Sequence, residues 1–201
     1  MELFQVLGII IVALIVLMFS PLLSGAHCDT MDGPTAADGK KALESNNINY
    51  ALKWILPKYE EELRTIFEKS IKVRVLSPEA MELADRYFME TLVRIHRAGE
   101  GEPFEGLKPS GTPIDEKVAA ADKSIEVGNL SPLDGLVSPQ DFPELKEKFE
   151  KVMALKDYNI NDIQAGRAYI EAYVNFFKTA EGEEHEEMHA HSHGHSHEYS
   201  H

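Results

Sequence analysis

A recurrence at a spacing of 82 residues constrains this chain more than any other feature. Glu44, Asn47, Pro57, Glu62, Leu63, Phe67, Glu68 and Lys69 return as Glu126, Asn129, Pro139, Glu144, Leu145, Phe149, Glu150 and Lys151. Ile48 is matched by Leu130 and Arg64 by Lys146. After a slip of one residue, Ala84, Arg86, Glu90 and Val93 fall on Ala165, Arg167, Glu171 and Val174, and Phe88 falls on Tyr169. A repeat of this length is two copies of one supersecondary unit, not a solenoid of short ones.

Each copy reads as helix throughout. Gly33-Pro34 starts a short helix over Thr35 to Ser45. Pro57 opens a second, in which Tyr59, Leu63, Ile66, Phe67 and Ile71 form an apolar stripe. Ser77-Pro78 is an N-cap with Pro at the first helical position, and the helix it begins runs to about Arg97 and stops at Gly99. The second copy repeats the plan over Pro113 to Val127, Pro143 to Lys156 and Asn161 to Lys178. No stretch alternates with period two for long enough to be a strand, although Ile71 to Leu76 is an unusual apolar and basic run. The expected fold is all-α: a duplicated helical hairpin forming a four-helix-bundle-like domain, with the short helices across it. The repeats cover about 35–98 and 114–179 within a domain of 27–180, joined by a loop rich in Gly and Pro.

Charge narrows the partners. Lys and Arg total 20 against 34 Asp and Glu, a formal net charge of −14. Such a surface excludes nucleic acid, which needs a positive one, and excludes docking on anionic lipid through charge. The single cysteine, Cys28, rules out an internal disulfide and any multi-cysteine zinc or iron–sulfur site.

Before this domain, Leu3 to Leu23 is almost entirely apolar, and Glu2 is the only charge ahead of Asp29. Ser24-Gly25-Ala26 places small residues where a signal peptidase cuts. The run is also about as long as a bilayer-spanning helix. Residues 1–26 are therefore a signal peptide or a membrane anchor, and either way the rest of the chain is exported, with membrane contact only through an uncleaved segment. Cleavage after Ala26 gives a mature start of His27-Cys28-Asp29, with an α-amine, an imidazole and a thiolate together. Thiolate and imidazole suit copper, nickel, zinc and iron rather than calcium or magnesium. The plain alternative is that Cys28 is a small core residue.

Duplication offers an internal control, because a pair present in both copies serves the scaffold. Arg86 with Glu90 and Arg167 with Glu171 are each four apart, the spacing of an ion pair along a helix. His96 is different: its counterpart is Phe177, so the position takes a ring and one copy wants nitrogen there. It is either a core histidine bonded to a carbonyl or carboxylate, or a metal ligand. His27 and His96 are the only histidines of residues 27–180. A single mixed nitrogen and sulfur site there would comprise His27, Cys28, Asp29 and His96. Asp32-Gly33-Pro34 reads as turn chemistry.

From Glu181 onward the helical pattern is lost. The tail, 181–201, holds six Glu and seven His: His185, His189, His191, His193, His195, His197 and His201. It has no apolar face and is expected to be disordered, and its alternating histidines can wrap several transition metals without identifying one. The bland alternative is an acidic, solvating tail.

Two resemblances follow from these residues. The run from His27 to Pro34, HCDTMDGP, together with Arg86 to Glu100, RYFMETLVRIHRAGE, resembles a family of exported prokaryotic proteins of unknown function; the likeness extends over most of residues 26–180 and implies no activity. His27, Cys28, Asp29 and Gly33 are also similar to the N-terminal hook of nickel superoxide dismutase, a four-helix-bundle enzyme. In that family the hook holds nickel through the first His, its amine, a backbone amide and two thiolates. The second thiolate is missing here, with Asp32 in its place, which changes the ligand field. Three readings stand. The first is an exported transition-metal-binding protein, for copper, nickel or zinc, using the N-terminal site and the tail. The second is a metal-dependent redox enzyme, and the third a helical envelope interaction module with no catalytic role. Nothing supports a hydrolase, kinase or glycosidase, for no triad, phosphate loop or carboxylate pair is evident.

Overall fold

The structure is a computed structural model and describes residues 27–182. The signal or anchor segment and the tail histidines, His185 to His201, lie outside the described residues. Within them the fold is all-α and bundle-like. The helices are α1 (Pro34–Ser45), α2 (Asn49–Leu52), α3 (Glu60–Val73), α4 (Pro78–Glu100), α5 (Glu116–Val127), α6 (Phe142–Leu155) and α7 (Ile163–Glu181). Single 3-10 turns precede α3 and follow α5. None of these helices is long and apolar enough to cross a membrane.

Capping explains where they begin and end. The Ser77 hydroxyl accepts from Ala80 N–H at 3.1 Å, and Asp162 accepts from Ala165 N–H at 3.0 Å. Helix α4 does not stop at Gly99, as the sequence suggested, but continues to Glu100. Its terminator is Gly101, whose φ of 77° a side chain would resist. Helix α7 likewise runs to Glu181 before Gly182 at φ 93°. The second short helix begins at Glu116 rather than Pro113, because Asp115 accepts from Lys117 N–H at 2.8 Å. The apolar and basic run after Ile71 forms no strand: α3 takes it to Val73, and Val75 and Leu76 stand exposed in the following turn.

Matched positions of the two copies carry the same local geometry. Asn46 and Gly128 both take the left-handed conformation after their helices. Asn47 N–H donates to Ala42 O at 3.0 Å, and Asn129 N–H to Ser124 O at 3.1 Å. Each of these asparagines then accepts the N–H two residues on, at 3.0 Å.

Each short helix is integral to its own copy. Helix α4 packs on α1 and α3, and α7 packs on α5 and α6. Leu63 and Phe67, with their counterparts Leu145 and Phe149, are buried in a core that runs through both copies. Residues 49–55 form the seam. A side chain at Gly166 would meet Lys53 Cβ and Tyr158 Cε2 at 3.1 Å, so α7 approaches that segment closely only through glycine. Lys53 donates to Tyr158 Oη at 2.7 Å and pairs with Asp38 at 2.7 Å.

One expectation is overturned here. Arg167 does not pair along its helix with Glu171. Its guanidinium crosses to the other copy, donating to Ile55 O at 3.0 Å and to Glu60 at 2.7 Å. Nor is there an Arg86–Glu90 ion pair among the described residues. A buried neighbour offering carbonyls and a carboxylate outcompetes a solvated partner one turn away.

Candidate metal centre

The segment His27 to Gly33 folds back into the domain. Met31 N–H donates to Lys108 O at 2.9 Å and Lys108 N–H to Asp29 O at 2.7 Å, so a short parallel bridge ties the tip to the inter-repeat loop. Gly33 closes the turn. A Cβ there would lie 2.2 Å from His27 O, although its φ of −69° is ordinary, so space rather than conformational freedom demands glycine. Asp32, which stands where the nickel hook has its second thiolate, accepts from Gly111 N–H at 2.8 Å. Its carboxylate braces a loop.

This fold-back places Cys28 and Asp29 against the end of α4, where His96, Arg97 and Glu100 project. Cys28, Asp29, His96 and Arg97 are all at least nine-tenths buried. Burial pushes the Cys28 thiol far above its ordinary value of 9.0, and the Glu100 and Asp29 carboxylates push it further; Thr35 and Arg97 act against them. Burial also raises Asp29, opposed by the charges of Arg97, Lys108 and His96. The expected residues Cys28, Asp29 and His96 thus belong to one electrostatic cluster.

His96 has a defined tautomer. Its Nδ1 lies 2.9 Å from Trp54 O, and a carbonyl can only accept, so Nδ1 carries the proton. Nε2 is buried and without a hydrogen-bond partner, and it faces Glu100 Oε2 at 3.6 Å. His27 shows the same division of labour elsewhere. Its Nε2 donates to Asp122 at 2.5 Å, Asp122 also accepts from Tyr173 Oη at 2.7 Å, and His27 Nδ1 is buried and unpartnered. Aromatic rings lie between the two imidazoles: Trp54 packs on His96 and on Tyr173, and Tyr173 on His27. The four sequence-predicted ligands therefore divide. Cys28, Asp29 and His96 draw together, while the His27 ring turns toward the second copy.

Among the described residues no group of three or more His, Cys, Asp or Glu is set at metal-holding distances. Instead the carboxylates gather on a cation already present. Arg97 lies 3.6 Å from Asp29, 3.2 Å from Glu100 and 3.6 Å from Glu102. Sequence reasoning missed Glu100, Arg97 and Asp122. The first had a signal, since Glu100 is four residues after His96 on one helix face. Asp122 had none, because its partner is 95 residues away.

Residues 32–179 match DUF6448, a family of unknown function. The chain belongs to that family. The span matched to DUF6448 takes in His96, Arg97 and Glu100, and it starts after Cys28 and Asp29. No curated protein and no solved structure matches the chain.

Proposed function

We propose that this DUF6448 protein is an exported transition-metal-binding protein that handles or sequesters copper, nickel or zinc. A body site is built on Cys28, Asp29 and His96, with Glu100 added to the set expected from sequence. His27 and the tail histidines, His185 to His201, capture further metal. The orientation of His96 carries the reading. Its Nδ1–H is spent on a backbone carbonyl, and its Nε2 is buried and unpartnered, 3.6 Å from Glu100 Oε2. Histidine ligands are held in this way, with one nitrogen donating to a carbonyl or carboxylate so that the other is free for the ion. His27, clamped by Asp122, is prepared in the same sense. The raised thiol works against this role, since an ion must displace its proton before the sulfur can coordinate.

Export rests on the apolar segment 1–26 alone. N-terminal sequencing of the native protein tests it: a start at His27 supports a cleaved signal, and a start at Met1 supports an anchor. The role of Asp32 as a loop brace gives the nickel-hook enzyme no added support, so the binding reading is preferred.

Cobalt substitution tests the body site in the full chain. Only one cysteine exists, so a near-ultraviolet thiolate-to-cobalt band can come from Cys28 alone, whatever the tail binds. The band is expected with Co²⁺, and its loss is expected in Cys28→Ser and His96→Ala. Absence of the band at saturating cobalt, or its full retention in His96→Ala, would overturn the site.

A further inference from the structure

We propose that the outward face of the first half of α4 is a self-association surface, on which two molecules of this chain pair through antiparallel α4 helices about a twofold axis. The surface lies away from the cluster around His96 and is independent of the metal-binding reading.

Exposed apolar side chains concentrate there. Val73, Val75, Leu76, Met81, Leu83 and Tyr87 are exposed at 42, 75, 74, 43, 69 and 55%, and among the described residues only Leu56 and Val127 join them as exposed large hydrophobics elsewhere. A monomer rarely leaves so many together in water. Leu76, in the turn ahead of α4, is followed at spacings of four, three and four by Ala80, Leu83 and Tyr87, the pattern of a seam that meets another helix. This stripe is not the core side of α4, because Ala84, Phe88 and Leu92 are the ones buried. Nor does the fold ask for it, since the matched positions of Leu83 and Tyr87 on α7 are Gln164 and Ala168.

Charge identifies the occupant. The chain carries −14 overall, so like molecules repel over most of their surface. Between residues 71 and 87, however, Lys72, Arg74 and Arg86 balance Glu79, Glu82 and Asp85, and two molecules can meet there without that repulsion. Glu79 and Arg86 each stand just ahead of a seam residue, on the same flank. Arg86 is exposed and has no ion pair among the described residues. Antiparallel pairing sets the Glu79 carboxylate of each molecule against the Arg86 guanidinium of the other, twice about the axis. It also sets Ala80 opposite Leu83 and Leu76 opposite Tyr87, small against large. Parallel pairing would instead turn Glu79 and Arg86 toward Ala84 and Thr91, which are buried in their own domain.

Sedimentation equilibrium of the full-length protein tests this, with circular dichroism confirming that each variant keeps its helices. A concentration-dependent dimer is expected for wild type. Leu83→Glu changes a side chain that already faces water, and it is expected to raise the dimer dissociation constant by about a hundredfold, because the twofold axis repeats the loss. Arg86→Glu sets like charges together at both pairs and is expected to weaken the dimer by about tenfold. Combining it with Glu79→Arg is expected to return the constant toward wild type. A monomer at every concentration, or a dimer that Leu83→Glu leaves unchanged, overturns the surface; the latter result assigns association to another part of the chain, residues 1–26 included. A dimer weakened by Leu83→Glu and Arg86→Glu but not rescued by the double substitution overturns the antiparallel pairing.

Discussion

Cys28 shows how a single residue can be a burden to stability and a resource for binding at once. Its thiol is held protonated by burial and by the Glu100 and Asp29 carboxylates, far above the ordinary 9.0. The unfolded chain has no such constraint and loses that proton above pH 9.0. Proton binding therefore favours the native state: this stability is complete below pH 9.0 and drains away as pH rises. Between pH 9 and 10 the free energy of unfolding is expected to fall by about 1 kcal/mol. Tyrosine adds the same sign only at higher pH, since burial raises Tyr169 to about 12 from 10.0. Urea unfolding of Cys28→Ser across that window should show a nearly flat profile; a slope equal to wild type would assign the loss to other groups. Sequence singled out Cys28 and His96 because a cysteine and histidines are rare in residues 27–180, and Asp29 because it follows Cys28. It could not identify Arg97 as their counter-cation, since an arginine at the end of a helix reads equally well as a complement to the helix dipole.

At the level of the helix, the duplicated arginines show where sequence rules lose their hold. Arg86 and Arg167 occupy matched positions, each four residues before a glutamate, and the spacing rule treats them alike. Their surroundings do not. Arg86 is exposed, whereas Arg167 is largely covered and faces the carbonyls of Leu52 and Ile55 and the Glu60 carboxylate. The helix boundaries were legible because caps are local: Ser77-Pro78 announces α4 within three residues. Partners across 107 residues of chain are not announced at all. Arg167→Ala should cost about 2–3 kcal/mol, for it strands a carboxylate and two carbonyls, while Arg86→Ala should stay within about 0.5 kcal/mol. Bonding to Arg167 is the main reason that Glu60 titrates below its ordinary 4.5. A lowered carboxylate stabilises above its unfolded value and loses that contribution as pH falls. Arg167→Ala should therefore blunt acid destabilisation, and equal losses in the two alanine variants, measured by urea melts, would contradict the seam as described.

Across the whole molecule, the all-α character is readable from the chain but the way its two halves join is not. Each copy packs its short helix against its own long one, so the hydrophobic pattern within a copy is satisfied locally and says little about the other. What joins them is irregular: residues 49–55, the inserted tip, and side chains such as Trp54. That indole packs on His96 of the first copy and Tyr173 of the second, and its Nε1–H donates to Asp38 at 2.8 Å. Since it is the only tryptophan in the chain, its fluorescence reports on the seam, whereas far-ultraviolet circular dichroism reports on helices of both copies. A core that runs through both halves, pinned at the seam by Lys53 and Arg167, should lose both together. Tryptophan emission and helical content are expected to give coincident urea transitions in wild type. Emission changing first would mean that the copies separate before either melts. The core would then be two cores in contact, and the cluster between the tip and α4 would open without unfolding the helices that hold it.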